Sequence, residues 1–172
     1  MTGLITEQGE FITVKRNRRE SKRQPQTIQV WTYDQAIQVL PYVESIITSL
    51  REHQLAAIRH QLKIDRLSKK NGRPNRAEII GHQETLTAAR EAQDRLQGAL
   101  EELHTLDIYS LDPVQGLALI PFALGDELAW FIYDLFDPKA LNFWRYHRDP
   151  IEMRRPVSGA EKGAPDSDSM VI

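Results

Sequence analysis

The 172-residue chain contains no cysteine. This absence excludes disulfide frameworks, thiolate nucleophiles and cysteine-ligated zinc, and nothing in the composition favours an oxidising compartment. The amino terminus lacks the basic region and long apolar run of a secretory signal. The most apolar stretches, 117–123 and 128–136, are too short to span a bilayer. We therefore expect a cytoplasmic protein with no membrane partner.

Motifs for nucleophilic or phosphate chemistry are also missing, because the chain has neither a Gly-x-Ser-x-Gly sequence nor a glycine-rich phosphate loop. Asp134 and Asp137, with His147 nearby, have the residue types needed for acid-base work. Aspartates in such positions are far more often turn formers. The sequence predicts no catalytic residue and no cofactor, and it favours a protein that is not an enzyme.

Histidines in the predicted helices are candidate metal ligands. His53 and His60 lie seven residues apart, and a hairpin turn at 71–74 would bring His60 near His82 and Glu84. The Glu-x-x-His pair of di-iron bundles is absent. We interpret these histidines as surface or seam-edge residues and predict no metal site.

The net charge is −2, but the basic residues are unevenly distributed. Residues 15–23, KRNRRESKR, hold six basic side chains and one acidic side chain, within a polar terminal region, 1–27, that we predict to be a mobile arm. The basic side chains are Lys15, Arg16, Arg18, Arg19, Lys22 and Arg23. Nucleic-acid binding through this arm is one possible function. A polar segment at the other end, 158–172, predicts a disordered tail, which leaves a single domain over 28–157.

Two long helices are predicted next, at about 33–70 and 75–104. Thr32 and Gln35 form a capping-box pattern at the first, and Asn71-Gly72-x-Pro74 separates the two. Apolar residues at steps of three and four predict an antiparallel, coiled-coil-like hairpin. The expected seam consists of Val43, Ile47, Leu50 and Ile58 against Leu86, Leu96, Leu100 and Leu103. We expect apolar surface left over on the hairpin to bind a second copy, as a homodimer, or another protein.

Three strands follow, at about 116–123, 127–136 and 141–147, and predict a small antiparallel β-meander. The fold class is therefore α+β. The last strand, in the stretch NFWRYHRD, alternates so that Trp144 and Tyr146 share one face, while Arg145 and His147 share the other. With Arg148, these two residues form a possible polar surface site.

The order of these parts resembles a small bacterial and archaeal family catalogued as domain of unknown function 2203. The resemblance covers about 30–157 and runs from WTYDQAIQVLPYV through GLALIPF and ELAWFIYDLFDPKALNFWR to RRPV. The positions that match the family pattern are Thr32, Leu40–Pro41, Gly116, Pro121, Trp144, Arg155 and Pro156. Where the family usually has Trp-His, this chain has Trp144–Arg145. The resemblance implies a fold without an activity.

These observations together predict an uncharacterised interaction or scaffolding protein that self-associates or docks a partner through its helical hairpin. The first alternative is a nucleic-acid-associated protein that uses the basic arm. The second is an enzyme or metal-binding protein whose site the sequence does not reveal.

Overall fold

The structure is a computed structural model that describes residues 27–69, 72–139, 141–162 and 169–171. Its elements, in order, are β1 (Thr27–Gln29), α1 (Tyr33–Ser68), α2 (Arg76–His104), β2 (Tyr109–Asp112), β3 (Leu117–Leu124), β4 (Glu127–Asp134), β5 (Phe143–Tyr146), β6 (Arg155–Pro156), α3 (Gly159–Lys162) and β7 (Ser169–Val171). The basic segment 15–23 lies outside the described residues.

Both long helices begin with a capping box. Thr32 accepts from the backbone N–H of Gln35, and the Gln35 side chain accepts from the Thr32 N–H, so the predicted cap is confirmed. Asn75 and Glu78 form the same reciprocal pair at the start of α2, which the sequence analysis did not identify. The two helices pack against each other as the expected hairpin.

The buried line of α2 differs from the predicted leucine seam. Thr85, Ala92 and Ala99 recur every seven residues and are buried, whereas Leu86, Leu96 and Leu100 are only half-buried. Small side chains on the line that faces α1 allow helices to approach closely, so larger ones are accommodated at the flanks. The buried line is therefore displaced by about one position from Leu86 and Leu100, whereas Leu103, also a predicted seam residue, is fully buried.

An antiparallel sheet of five strands, in the order β2-β3-β4-β5-β6, packs beside the hairpin. The α+β class and the three predicted strands are confirmed as β3, β4 and β5, although β4 ends at Asp134 rather than at residue 136. The meander is extended at both edges by β2 and β6. These strands have four and two residues, too short to give a clear alternation in the sequence.

Apolar side chains cover both faces of the sheet. One face packs against the hairpin, and there Phe122 and Phe131 stack with ring centroids 4.0 Å apart beside Trp144. The other face is covered by Ile28 and Val30, from β1 and the residue that follows it. Burial on both faces explains why β3 and β4 read as nearly continuous apolar runs.

The turn before β3 requires a glycine. Gly116 has φ +71°, and a Cβ built there would lie 2.7 Å from the Cβ of Leu135. The Leu135 N–H also donates to the Gly116 carbonyl, at 3.1 Å. The close approach of these two backbones gives a physical reason for the glycine in GLALIPF.

The two ends of the described chain are paired. Thr27–Gln29 and Ser169–Val171 form an antiparallel two-stranded sheet, and Gly159–Lys162 forms one helical turn. The expectation of a disordered segment over 158–172 therefore does not hold for these residues, and Thr27 belongs to a strand rather than to the arm. The Ser-Met-Val run is too short to predict a strand without its pairing partner.

Candidate functional site

The apolar stripe of α1 is covered by the sheet over only part of its length. Val43, Ile47 and Leu50 are fully buried in the core between hairpin and sheet. Further along the helix, Ile58 and Leu62 are 40% and 51% exposed. The stripe therefore continues beyond the sheet without a covering element among the described residues.

The predicted seam residues thus divide into two groups. Val43, Ile47, Leu50 and Leu103 lie in the protein's own core and cannot contact a partner, and Leu96 and Leu100 pack against the same core. Leu86 is half-buried on α2. Ile58 is the seam residue with most of its surface available for binding.

Two loop residues extend the exposed part of the stripe. Arg51, one turn before Leu55, donates from Nε to the carbonyl of Val114 at 2.9 Å, and its guanidinium lies 5.3 Å from the ring centroid of Phe136. Phe136 is 64% exposed and Val114 is 37% exposed. We use the name outer strip for the following five residues: Leu55, Ile58, Leu62, Val114 and Phe136. Sequence analysis missed Phe136 as a surface residue because it was assigned to the last position of a longer strand, 127–136.

Acidic residues surround the sheet end of the outer strip. Asp112 accepts from the N–H of Val114, and Asp134 accepts from the N–H of Phe136. Burial, followed by the negative charges of Glu44 and Asp134, raises the pKa of Tyr133 to about 12. Glu44 on α1 and Asp134 on β4 therefore both act on the phenol of Tyr133.

Asp134 and Asp137 are turn-forming residues, as the sequence interpretation held. Asp137 accepts from the N–H of Lys139 and from the side chain of Asn142, and these bonds, the backbone one first, lower its pKa. The N–H of His147 donates to the carbonyl of Leu128, at the opposite end of β4 from Asp134. The three side chains do not form an acid-base site.

Basic residues dominate the other end of the strip. Arg59, Lys63, Arg66 and Lys69 are exposed along the last turns of α1, where Asp65 is the acidic residue. Over residues 55–69 and 72–90 the hairpin has seven basic and three acidic side chains, whereas the rest of the described chain has eight basic and sixteen acidic ones. The hairpin end is therefore positively charged and the body negatively charged.

The residues of the possible polar site on β5 do not share one exposed surface. Arg145 lies on the sheet face of Trp130 and is only 8% exposed, because that face is covered and its Nη1 donates to the Asp149 carbonyl at 2.7 Å. The expectation that Arg145 faces water is corrected by this burial. His147 and Arg148 are exposed; His147 Nδ1 accepts from Trp130 Nε1 at 3.1 Å.

Arg155 joins β6 to the aromatic residues of β5. Its guanidinium lies 5.3 Å from the ring centroid of Trp144 and 5.1 Å from that of Tyr146, and it forms an ion pair with Asp149. The hydrogen bond from Arg155 lowers the pKa of Asp149, which also accepts from the N–H of Tyr146. Trp144 and Tyr146 face the main core, as the alternation predicted.

Metal ligands and clefts are the remaining features of the described residues that bear on ligand binding. No group of three histidine, aspartate or glutamate side chains within them is arranged to hold a metal ion. A cleft of about 460 Å³ lies at the hairpin end, near Leu67, Arg73, Ile79 and His82, but its lining residues are exposed or half-buried. Neither α1 nor α2 combines the length and the apolar character that crossing a membrane requires.

A model of an uncharacterised conserved protein family, DUF2203, matches residues 29–157. The chain belongs to the DUF2203 family. The DUF2203 match extends from β1 to just past β6, so it contains the hairpin and the whole outer strip but not the basic segment 15–23. No curated protein and no solved structure matches the chain. In this DUF2203 protein, Gly116, Trp144 and Arg155 are all explained by packing.

Proposed function

We propose that this DUF2203 protein is a non-enzymatic interaction or scaffolding module that docks another protein surface on its outer strip. The observation that carries the proposal is the continuation of the α1 stripe beyond the sheet, with Ile58, Leu62 and Phe136 exposed. Exposed apolar side chains in a contiguous, charge-rimmed arrangement are typical of protein-binding surfaces. The localisation that fits this function is cytoplasmic.

The spacing of the strip suits a helical partner. Leu55, Ile58 and Leu62 follow one another at steps of three and four, the arrangement with which helices present anchors to a groove or to another helix. Covering a half-exposed Ile or Leu contributes about 1 kcal/mol, and an exposed Phe contributes more. Three or four such side chains contribute about 4 kcal/mol, which only matches the lower end of the entropy cost of association, so a weak, reversible contact also needs the partner's own apolar surface and complementary charge.

The proposal can be tested with two variants of the full chain. Ile58→Ser/Leu62→Ser removes apolar surface from the strip, and Ile151→Ser/Met153→Ser removes it from the loop before β6, where both side chains are also exposed. Circular dichroism and thermal unfolding check that both variants fold. Affinity capture from nuclease-treated native lysate and sedimentation of the pure protein then measure association.

We expect the strip variant to lose association with itself or with a captured protein, while the loop variant retains it. Equal association of wild type and both variants would refute docking on the strip. Because the lysate is nuclease-treated, an association that survives in the wild type is between proteins.

A second candidate function, nucleic-acid association, is favoured by the positive charge of the hairpin end, which adds to the basic segment 15–23. Its test is a gel-shift with duplex DNA and single-stranded RNA over a range of salt concentrations. The full chain is compared with a chain in which the six basic residues of the segment become Gln, and with Lys63→Gln/Arg66→Gln. Binding that is salt-insensitive, or equal in all three, would contradict this candidate.

A further inference from the structure

We infer that the protein docked on the outer strip is a second copy of this chain, arranged antiparallel about a two-fold axis near residues 56–57. The inference rests on the proposed function, because it names the partner of the same surface. It follows from the spacing of residues along one face of α1 and from the opposite charges at the two ends of the strip.

The spacing along this face reads the same in both directions. Glu44, Arg51, Leu55, Ile58, Leu62 and Lys69 are separated by seven, four, three, four and seven residues. Steps of three, four and seven keep all six on one side of a helix. In a two-fold contact residue i of one copy meets residue j of the other and the reverse holds equally, so this symmetric spacing lets all six residues meet one another about a centre between residues 56 and 57.

The antiparallel register pairs residues of complementary chemistry. Leu55 lies opposite the partner's Ile58, and the Arg51 position, with Phe136 against it, lies opposite the partner's Leu62. Glu44 lies opposite the partner's Lys69, and both side chains are exposed. Each contact occurs twice, so the apolar side chains meet at the centre and an ion pair closes each end.

Charge favours this orientation over a parallel one. In the antiparallel arrangement the positive hairpin end of each copy lies against the negative body of the other, with Asp112 and Asp134 near the strip. A parallel arrangement would place the two hairpin ends together and the two bodies together. Like charges brought together oppose binding, whereas complementary potentials set the register and accelerate encounter.

The strip is small for a permanent dimer. Five apolar residues per copy cover less than the roughly 800 Å² per partner that is usual in stable complexes. The contact therefore belongs to the weak, reversible class, with monomer and dimer in exchange at micromolar concentrations and an affinity that falls as salt is added.

Charge swaps test both the partner and the orientation. Sedimentation velocity at low salt, from low to high micromolar concentration, compares wild type with Glu44→Lys, Lys69→Glu and the double swap Glu44→Lys/Lys69→Glu. Glu152→Lys, on an exposed loop residue away from the strip, is the matched charge control. We expect each single swap to weaken self-association by up to about tenfold, because it places like charges opposite each other twice, and the double swap to restore it.

The double swap is the decisive variant. Restored association supports the pairing of residue 44 with residue 69, whereas additive weakening overturns it. A single swap that behaves like Glu152→Lys also overturns it.

Orientation can be measured separately, because a chain without cysteine accepts a single spin label. For Arg66→Cys, the antiparallel register sets the two labelled positions nineteen residues apart along the paired helices, or about 28 Å at about 1.5 Å per residue. A separation near the distance between neighbouring helices, roughly 10 Å, would indicate the parallel form and overturn the inference.

A pure protein that stays monomeric at high micromolar concentration also overturns the inference. If Ile58 and Leu62 are then still required to capture another protein, the proposed function stands without self-association.

Discussion

The different environments of Ile47 and Ile58 on α1 lead to a quantitative prediction. Ile47 is fully buried against the sheet, whereas Ile58 is 40% exposed on the same helix. Truncating a buried Ile to Ala removes transfer free energy and leaves a cavity, so Ile47→Ala should lower the free energy of unfolding by about 2–5 kcal/mol. At Ile58 less apolar surface is lost and no cavity forms, while Ala is the better helix former by a few tenths of a kcal/mol, so the expected cost is below about 1 kcal/mol.

Urea denaturation at low micromolar concentration measures both free energies in the monomer, and equal m-values would show that the two variants unfold to the same extent. Costs that agree within about 1 kcal/mol would refute the idea that the stripe is uncovered beyond the sheet. The same experiment at high concentration adds a check on self-association. Ile58→Ala should become more costly there, because wild type is stabilised by dimer formation, whereas the cost at Ile47 should not change.

Other predictions concern the sheet. Trp144→Ala should cost about 3–5 kcal/mol in urea denaturation, because the indole is 5% exposed in the main core; a cost below about 1 kcal/mol would contradict its packing. Gly116→Ala should lower stability by more than about 1 kcal/mol, because of the positive φ and the contact with Leu135, and an unchanged melting temperature would show that this approach is not tight. The lowered pKa of Asp149 means that the folded state binds this proton less readily than the unfolded state does. The stabilisation of the fold by the ionised Asp149 is therefore fully present above a pH of about 4, and it is lost as the pH falls through the folded pKa of this carboxyl group. Melting curves of Asp149→Asn should lack this part of the acid dependence, and parallel curves for wild type and variant would exclude it.

Local chemistry made the helix boundaries predictable. Thr32 and Gln35 satisfy each other's backbone groups within four residues, so the signal is complete in the sequence. The packing of α2 was harder to predict from the sequence. At a period of 3.6 residues, two neighbouring stripes of this helix both qualify as its buried face. Leu86, Leu96 and Leu100 on one stripe were more conspicuous than Thr85, Ala92 and Ala99, which are buried together with Leu103. Only the position of α1 decides between the two stripes.

The sheet shows the same division between local and tertiary information. Alternation placed Trp144 and Arg145 correctly on opposite faces, but it could not show that both faces are covered. The edge strands β2 and β6 exist because a neighbouring strand supplies their hydrogen bonds. Predicting the outer strip requires both local and tertiary information. Ile58 was visible as a seam position, whereas the exposure of Phe136 depends on β4 ending at Asp134.

The pairing of β1 with β7 has a consequence for how the molecule can be connected to others. Ile28 of β1 packs on the sheet face that is turned away from the hairpin, so the chain enters and leaves the domain on the side opposite the outer strip. A fusion partner joined directly at Thr27 or Val171 would therefore start from this face and not from the outer strip.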